Sequence, residues 1–144
     1  MIVVRPAEPV DYPAVARLTV DAYQADGQLN DSAASYANTL ADVAARAEAG
    51  ALLVAVDSAA NAPDVLGSVL FVEPGSQYAE LSRAGEAEFR MLAVDPTAQG
   101  RGVGRALVQA CVDRYVIGIG NRATTTFLAH DLRSDKPAVI LVDV

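Results

Sequence analysis

The residues best suited to chemistry lie close together near the middle of the chain. The segment Gln99–Arg105 contains three alternate glycines and two arginines. A backbone without Cβ atoms can turn tightly and approach a ligand closely. If a helix follows, its first amides have no internal partners, and together with the helix dipole they favour a phosphate or pyrophosphate. This segment therefore predicts an anion-binding loop, with Arg101 and Arg105 adding positive charge nearby.

Neither of two common nucleotide-binding motifs accounts for this segment. A P-loop needs a Lys followed by Ser or Thr after its last glycine, and Gly104 is followed by Arg105 and Ala106. A dinucleotide fingerprint has the form G-x-G-x-x-G and an acidic residue about 20 positions later, and neither is found here. These comparisons leave the kind of phosphate ligand open.

A strand and a helix must position this loop. Residues 88–94 alternate in the period-2 pattern of a strand, which puts Glu88, Leu92 and Val94 on one face. Asp95-Pro96 ends the strand, because proline cannot continue a ladder. From Val103 onward, apolar residues recur at helical spacing, so the sequence predicts a strand, a glycine-rich turn and an amphipathic helix.

The order Leu92-Ala93-Val94-Asp95-Pro96 followed by Gln99-x-x-Gly102-x-Gly104 resembles motif A of the GCN5-related N-acetyltransferases. The resemblance covers roughly residues 2–128. It implies an α/β (α+β) acyl-CoA N-acyltransferase fold, with a mixed, mostly antiparallel sheet flanked by helices. It also implies transfer of an acetyl group from acetyl-CoA to a primary amine of a small molecule or a protein.

The same resemblance assigns the site residues. Glu88 is the candidate general base, because it stands four residues before Leu92, and Glu86 is the alternative. No metal is expected. The backbone of the strand would pair with the pantetheine arm, and the loop would hold the pyrophosphate. The expected acetyl-CoA contacts are Leu92, Ala93, Val94, Gln99, Gly100, Arg101, Gly102, Val103, Gly104 and Arg105.

The chain before this site predicts a scaffold of three strands and two helices. Ile2–Pro6 reads as a strand, and Asp11-Tyr12-Pro13 opens a helix with Asp11 as a candidate N-cap. The remaining elements are a helix over 31–48, a hairpin of strands over 51–56 and 65–72, and a polar loop over 73–85. Gly67 inside the second hairpin strand indicates a bulge or a close backbone approach.

The C-terminal segment departs from the family pattern. Residues 123–128 and 138–142 read as strands, but no tyrosine follows Tyr115, where the family carries one on a helix. The fold is therefore expected to be shortened or altered over 122–144, and the general acid is open. Tyr78 is a candidate substitute or a lid residue, and His130 reads as a surface histidine.

Composition limits the partners. At 144 residues the chain is expected to be a single domain, and its net charge of −7 argues against nucleic acid as a partner. It has no apolar stretch long enough to span a membrane and no secretory signal, so we expect a cytoplasmic protein. The lone cysteine, Cys111, lies on the apolar helix face and reads as a core thiol. The expected partners are acetyl-CoA and an amine substrate, with a homodimer common in such folds.

Two functions from different classes remain. The first is an active N-acetyltransferase. The second is a non-catalytic acyl-CoA-binding domain, in which the altered C-terminal segment has removed the substrate half of the site. A third, weaker reading is a chain whose sheet is incomplete and which depends on a partner to fold.

Overall fold

A computed structural model describes residues 1–25, 42–61, 64–73, 75–77, 87–119, 124–128 and 138–143. Its strands are β1 (Ile2–Pro6), β2 (Ala51–Asp57), β3 (Val65–Val72), β4 (Ala87–Val94), β5 (Thr124–Leu128) and β6 (Ala138–Asp143). They form one sheet in the order β1-β2-β3-β4-β6-β5, and every described neighbour pair is antiparallel. The predicted hairpin of β2 and β3 is confirmed.

Three helices cover the two faces of this sheet in the described part of the chain. They are α1 (Tyr12–Ala25), α2 (Val43–Ala49) and α3 (Val103–Ile119). On one face, α3 buries Val103 and Leu107 against Val69 and Phe71. On the opposite face, α1 and α2 bury their apolar residues in a second cluster, which contains Val15, Leu18, Val43, Leu70 and Val72.

α1 begins at Tyr12, where the sequence reading opens a helix, but the predicted N-cap role of Asp11 is wrong. Asp11 is the last residue of a 3-10 turn whose own N-cap is Glu8. Pro13 lies in the first turn, and a 3-10 turn over Pro9–Asp11 precedes the helix. The Asp11 carboxylate accepts hydrogen bonds from Arg5 Nη1 at 2.7 Å and from the Glu8 backbone N–H at 2.8 Å. The bond from Arg5 lowers the pKa of the Asp11 carboxyl. Asp11 therefore ties the helix start to β1.

The predicted helix over 31–48 is described only in its last part. There α2 begins at Val43 with Asp42 as its N-cap, and the prediction for residues 31–41 lies outside the described residues. The Asp42 side chain accepts from the Ala45 backbone N–H at 3.2 Å. A side chain that satisfies an early helix amide in this way marks a helix start.

A bulge interrupts β4 and reverses its faces. Leu70 lies opposite Arg90 and Ser68 lies opposite Ala93, so both Met91 and Leu92 oppose the single residue between them on β3. Met91 has a φ of 55°, which is uncommon for a residue other than glycine. One extra residue in a strand shifts every later side chain to the other face.

The predicted facing of Glu88 is therefore wrong. Leu92 and Val94 pack with the core on the α3 face. Glu88 pairs with Val72, whose side chain belongs to the core on the α1 and α2 face. The strict alternation assumed for residues 88–94 fails at Met91, where the bulge inserts its extra residue.

Gly67 brings α3 onto the sheet. A Cβ at this position would lie 2.8 Å from Val103 Cγ1 and 2.9 Å from the Ala93 carbonyl oxygen. The ladder between β2 and β3 also shifts register beside Gly67, between Ala55 and Val56. The structure thus shows both features indicated for this glycine, an irregular strand and a close approach.

Candidate active site

The glycine-rich loop connects the end of β4 to the start of α3. Asp95 begins it with a 3-10 turn, in which its carboxylate accepts from Thr97 Oγ1 at 2.7 Å and from the Thr97 N–H at 2.9 Å. The Thr97 hydroxyl is the main cause of the lowered pKa of the Asp95 carboxyl. Ala98 is buried below the turn, so the loop is anchored to the core at its start.

Two positions of the loop require glycine because of their backbone conformation. Gly100 and Gly102 have φ values of +82° and +81°, the left-handed region that other residues adopt only with strain. A Cβ at either position would have no atom within 4 Å, so the space beside the loop is open. These glycines therefore shape the loop and leave room beside it.

The third glycine has another function. Gly104 lies in the first turn of α3, and a Cβ there would lie 3.6 Å from Val94 Cγ2. The Ala106 N–H donates to the Gly102 carbonyl oxygen at 3.0 Å, so the helical bonds begin at Gly102. The amides before Ala106 have no acceptor within the helix, which makes this helix start a donor surface for an anion.

The two loop arginines differ in their surroundings. The guanidinium of Arg101 lies 2.6 Å from Asp57 Oδ2 at the end of β2. The Asp57 carboxyl also accepts from the Ala59 N–H, and this bond, with those from the N-terminal amine and Arg101, lowers its pKa to about 2. Arg105 is exposed in the first turn of α3. The positive charge predicted beside the loop is present, and that of Arg101 is directed toward Asp57.

The strand beside the loop has an open side. β6 pairs with β4 over Ala87–Phe89, and in the described part of the chain no strand pairs with Leu92–Val94 on that side. The backbone there can therefore accept an extended ligand as an additional strand. The assignment of Leu92, Ala93 and Val94 as pantetheine contacts stays a prediction.

The loop and the open strand side fit the phosphate and the amide-bearing arm of an acyl-CoA. A helix start of this kind suits a phosphate, and the space beside Gly100 and Gly102 is open. Gln99, Gly100, Arg101, Gly102 and Arg105 are exposed around that space, whereas Val103 is buried and anchors the helix. The predicted contact set therefore divides into exposed loop residues and strand backbone.

Glu88 lies apart from this loop. Its side chain is fully buried on the α1 and α2 face of β4, and its backbone lies between Val72 of β3 and Val139 of β6. The loop packs on the other face through α3. Glu86, Tyr78 and His130 lie outside the described residues. The structure therefore brings the predicted phosphate contacts together and puts the candidate base across the sheet from them.

Three further residues of this region escaped the sequence reading. Met91 forms the bulge, Asp57 holds Arg101, and Arg46 of α2 is fully buried with Nη1 3.6 Å from Met91 Sδ. A methionine carries no signal for positive φ, and Asp57 is distant in sequence. Arg46 could have been found from its spacing, because it lies one turn after the buried Val43.

Cys111 is a core residue, as predicted. It is fully buried on the inner side of α3, and burial raises the pKa of its thiol to about 12. Only a thiolate is a strong nucleophile, so this thiol is unreactive in the folded protein. Among the described residues, no group of three or more His, Cys, Asp or Glu side chains could hold a metal ion. No described helix is both long and apolar enough to cross a membrane.

The sequence of residues 48–140 matches a family model described as an acetyltransferase (GNAT) domain. This match continues past Leu128, where the motif resemblance ended. No curated protein matched the sequence.

Solved structures of similar shape carry related descriptions. One, of histone acetyltransferase HPA2 and related acetyltransferase from Corynebacterium glutamicum, has a TM-score of 0.63 at 20% identity and covers 96% of this chain and 93% of that chain. A GNAT family acetyltransferase from Brucella melitensis in complex with acetyl-CoA has a TM-score of 0.61 at 19% identity, with coverages of 96% and 86%. A GCN5-related N-acetyltransferase from Kribbella flavida has a TM-score of 0.57 at 21% identity, with coverages of 96% and 95%. At these identities the likeness concerns the fold.

Proposed function

The chain belongs to the GCN5-related N-acetyltransferase (GNAT) family, and we propose that it moves an acetyl group from acetyl-CoA to a primary amine of a small molecule or protein. The observation that carries this proposal is the loop from Gln99 to Arg105, which opens a helix start and two positive-φ glycines toward free space. That loop follows Leu92–Val94, which have no strand partner on the β6 side in the described part of the chain. An acyl-CoA has the phosphates and the amide-bearing arm that these two surfaces suit.

We propose the following roles for the backbone. The amides of Gly102, Val103 and Gly104 bind the pyrophosphate, and Arg105 supplies charge. The backbone of Leu92–Val94 pairs with the pantetheine arm. One amide in this stretch also faces the thioester oxygen, where negative charge develops during transfer, and such a donor contributes roughly 3 kcal/mol. Bound acetyl-CoA supplies the activated acyl group.

The transfer itself requires three proton movements. A lysine-like ammonium has a pKa of about 10.4 and no free electron pair, so it must lose a proton before its nitrogen attacks. Glu88 takes that proton, directly or through a water. A C–N bond then forms, the C–S bond breaks, and the thiolate leaves with the bonding electrons. The acylated nitrogen releases its second proton to water, which gives the neutral amide, and the thiolate, with a pKa of about 8.5, takes a proton from water, so no dedicated acid is required.

A non-catalytic acyl-CoA-binding domain is the second candidate. The observation in its favour is the complete burial of Glu88 on the face opposite α3. Both candidates bind CoA at the same loop, and only the first candidate uses Glu88 chemically.

Turnover separates the two candidates. Acetyl-CoA is incubated with a panel of amines, and free thiol is measured against the hydrolysis background, with CoA affinity measured by calorimetry. Amine-dependent thiol release supports the transferase. Tight CoA binding without release above background would leave only the binding domain. A cooperative melt that CoA raises would count against a chain that needs a partner to fold.

The domain organisation also belongs to this proposal. The sheet contains strands from Ile2 to Asp143, which supports one domain over residues 1–144. The cytoplasmic location and a homodimer stay predictions.

A further inference from the structure

The buried arginine of α2 lies against the strained position of β4. Arg46 is fully buried, and its Nη1 donates to Met91 Sδ at 3.6 Å. Burying a guanidinium is costly, because its charge loses contact with water. A buried guanidinium is kept in place by its polar contacts, and the contact with Met91 joins α2 to β4.

Met91 has a backbone conformation that is unfavourable for its residue type. Its φ of 55° is disfavoured for a residue with a Cβ, by about 1–2 kcal/mol. Such strain persists only when the surroundings fix the residue in place. The side chain of Met91 is 5% exposed, and the Arg46 guanidinium is one of the groups that hold it there. Arg46 can thus favour the bulge by holding the side chain of its strained residue.

The bulge determines where the following backbone points. Leu92, Ala93 and Val94 come directly after Met91, and the bulge turns Leu92 and Val94 to the α3 face. A regular strand would reverse these faces and turn the amides of this stretch the other way. The same stretch carries the unpaired side proposed above for the acyl-CoA arm.

We propose that Arg46 is a positioning residue that fixes the Met91 bulge and so orients the Leu92–Val94 backbone toward the thioester. This inference rests on the proposed acetyl transfer. Arg46 touches neither substrate, and it acts through Met91. Its loss affects the orientation of the thioester more than the binding of CoA, because the pyrophosphate loop is held separately by Ala98 and α3.

The test uses Arg46→Met, Met91→Gly and the double variant of the full chain. Arg46→Met keeps an unbranched, though shorter, side chain and removes the donor. We expect its kcat to fall about 10-fold or more, with the calorimetric affinity for CoA within about 2-fold of the wild-type value. Glycine adopts positive φ without steric cost, so Met91→Gly should restore most of the lost kcat in the double variant.

A packing role for Arg46 gives a different result. Met91→Gly then enlarges the cavity, and the double variant is slower than either single variant, which would overturn the proposal. Leu18→Ala is the matched control, because it removes apolar volume from the same face and leaves the bulge unchanged. Leu18→Ala should lower the denaturation midpoint, and its kcat should stay within about 2-fold of the wild-type kcat.

Denaturation separates this inference from the proposed function. If Arg46 fixes the bulge, Arg46→Met lowers the midpoint less in the Met91→Gly background than in the wild type. Equal shifts in both backgrounds would overturn the coupling. This measurement requires no turnover. A wild-type protein without acetyl transfer would therefore refute the proposed function while the coupling is still measured.

Discussion

The guanidinium of Arg101 lies 2.6 Å from the carboxylate of Asp57, although the two residues are 44 positions apart. Asp57 is the last residue of β2, and Arg101 lies in the loop before α3. The ion pair joins the end of the sheet to the proposed pyrophosphate site. Arg101 therefore has two competing anionic partners, a carboxylate of the protein and the phosphates of the ligand.

Asp57→Asn should strengthen CoA binding. The substitution removes a negative charge beside the phosphate site and releases Arg101 toward the ligand. We expect an affinity gain of about 2- to 5-fold at low ionic strength, which declines as added salt screens the charges. Because the pKa of Asp57 is lowered to about 2, the carboxylate stays charged at neutral pH and the gain should not vary there. Calorimetry at several salt concentrations measures it.

Asp113→Asn is the matched control for this substitution. It removes the same charge from an exposed residue further along α3, where the carboxylate accepts from Gln109. Its CoA affinity should stay at the wild-type value. An equal gain in both variants would show that the net charge matters and the Arg101 pair does not.

Gly102→Glu and Gly104→Glu should each abolish CoA binding. Either side chain brings a carboxylate to the helix start, where it would use the free amides and repel the phosphates. For Gly104→Glu the structure separates this effect from misfolding, because a Cβ at Gly104 meets only Val94 Cγ2 at 3.6 Å. Gly102→Glu also strains the loop backbone, because Gly102 has a φ of +81°. Gly104→Ala is therefore the control that should fold and keep much of the affinity. Unchanged calorimetric affinity in the two Glu variants would refute the assigned pocket.

Gly67→Ala should destabilise the protein by about 1–3 kcal/mol, as overpacked cores do. The new methyl group would meet Val103 Cγ1 at 2.8 Å and the backbone oxygen of Ala93 at 2.9 Å. Neither atom is the end of a long flexible side chain, so α3 must move away from β3. Urea denaturation measures the loss of unfolding free energy. A variant as stable as wild type would mean that α3 is not packed directly on Gly67.

The elements that the sequence predicted well are those with a local chemical signal. The alternate glycines of the loop indicate a tight turn between strand and helix, and Gly100 and Gly102 have positive φ in that turn. Val65–Val72 has the predicted bounds, because an apolar run between turn residues is a local pattern. The assignment of Gly67 succeeded for the same reason.

The elements that the sequence could not predict depend on distant contacts. Met91 has positive φ although methionine has no preference for it, and this single residue reversed the predicted face of Glu88 relative to Leu92. The surrounding structure, including Arg46, sets that conformation. The partner of Arg101 was hidden for a similar reason, since only the folded sheet brings Asp57 to the loop.

Cys111 should not react with thiol reagents in the native protein. Its side chain is fully buried, and burial raises the pKa of the thiol to about 12, so almost no thiolate is present at neutral pH. Added denaturant should expose one reactive thiol per chain, because the sequence has one cysteine. Absorbance of a disulfide reagent follows both states. Rapid reaction without denaturant would indicate that α3 opens readily from the sheet.

Glu88→Gln should lower acetyl transfer and leave CoA affinity unchanged. The amide is nearly isosteric with the carboxylate and cannot take the proton of the amine, so kcat/KM should fall by about 10²-fold, most strongly at low pH. CoA affinity should be independent, because Glu88 faces α1 and α2 while the phosphate loop packs through α3 on the other face. Thiol release across a pH series and calorimetry with CoA measure the two quantities.

Glu73→Gln, at an exposed residue after β3, is the control and should match wild type. Equal turnover of Glu88→Gln and wild type at every pH would remove Glu88 from the mechanism, whereas loss of CoA affinity would show that the two faces of the sheet are coupled.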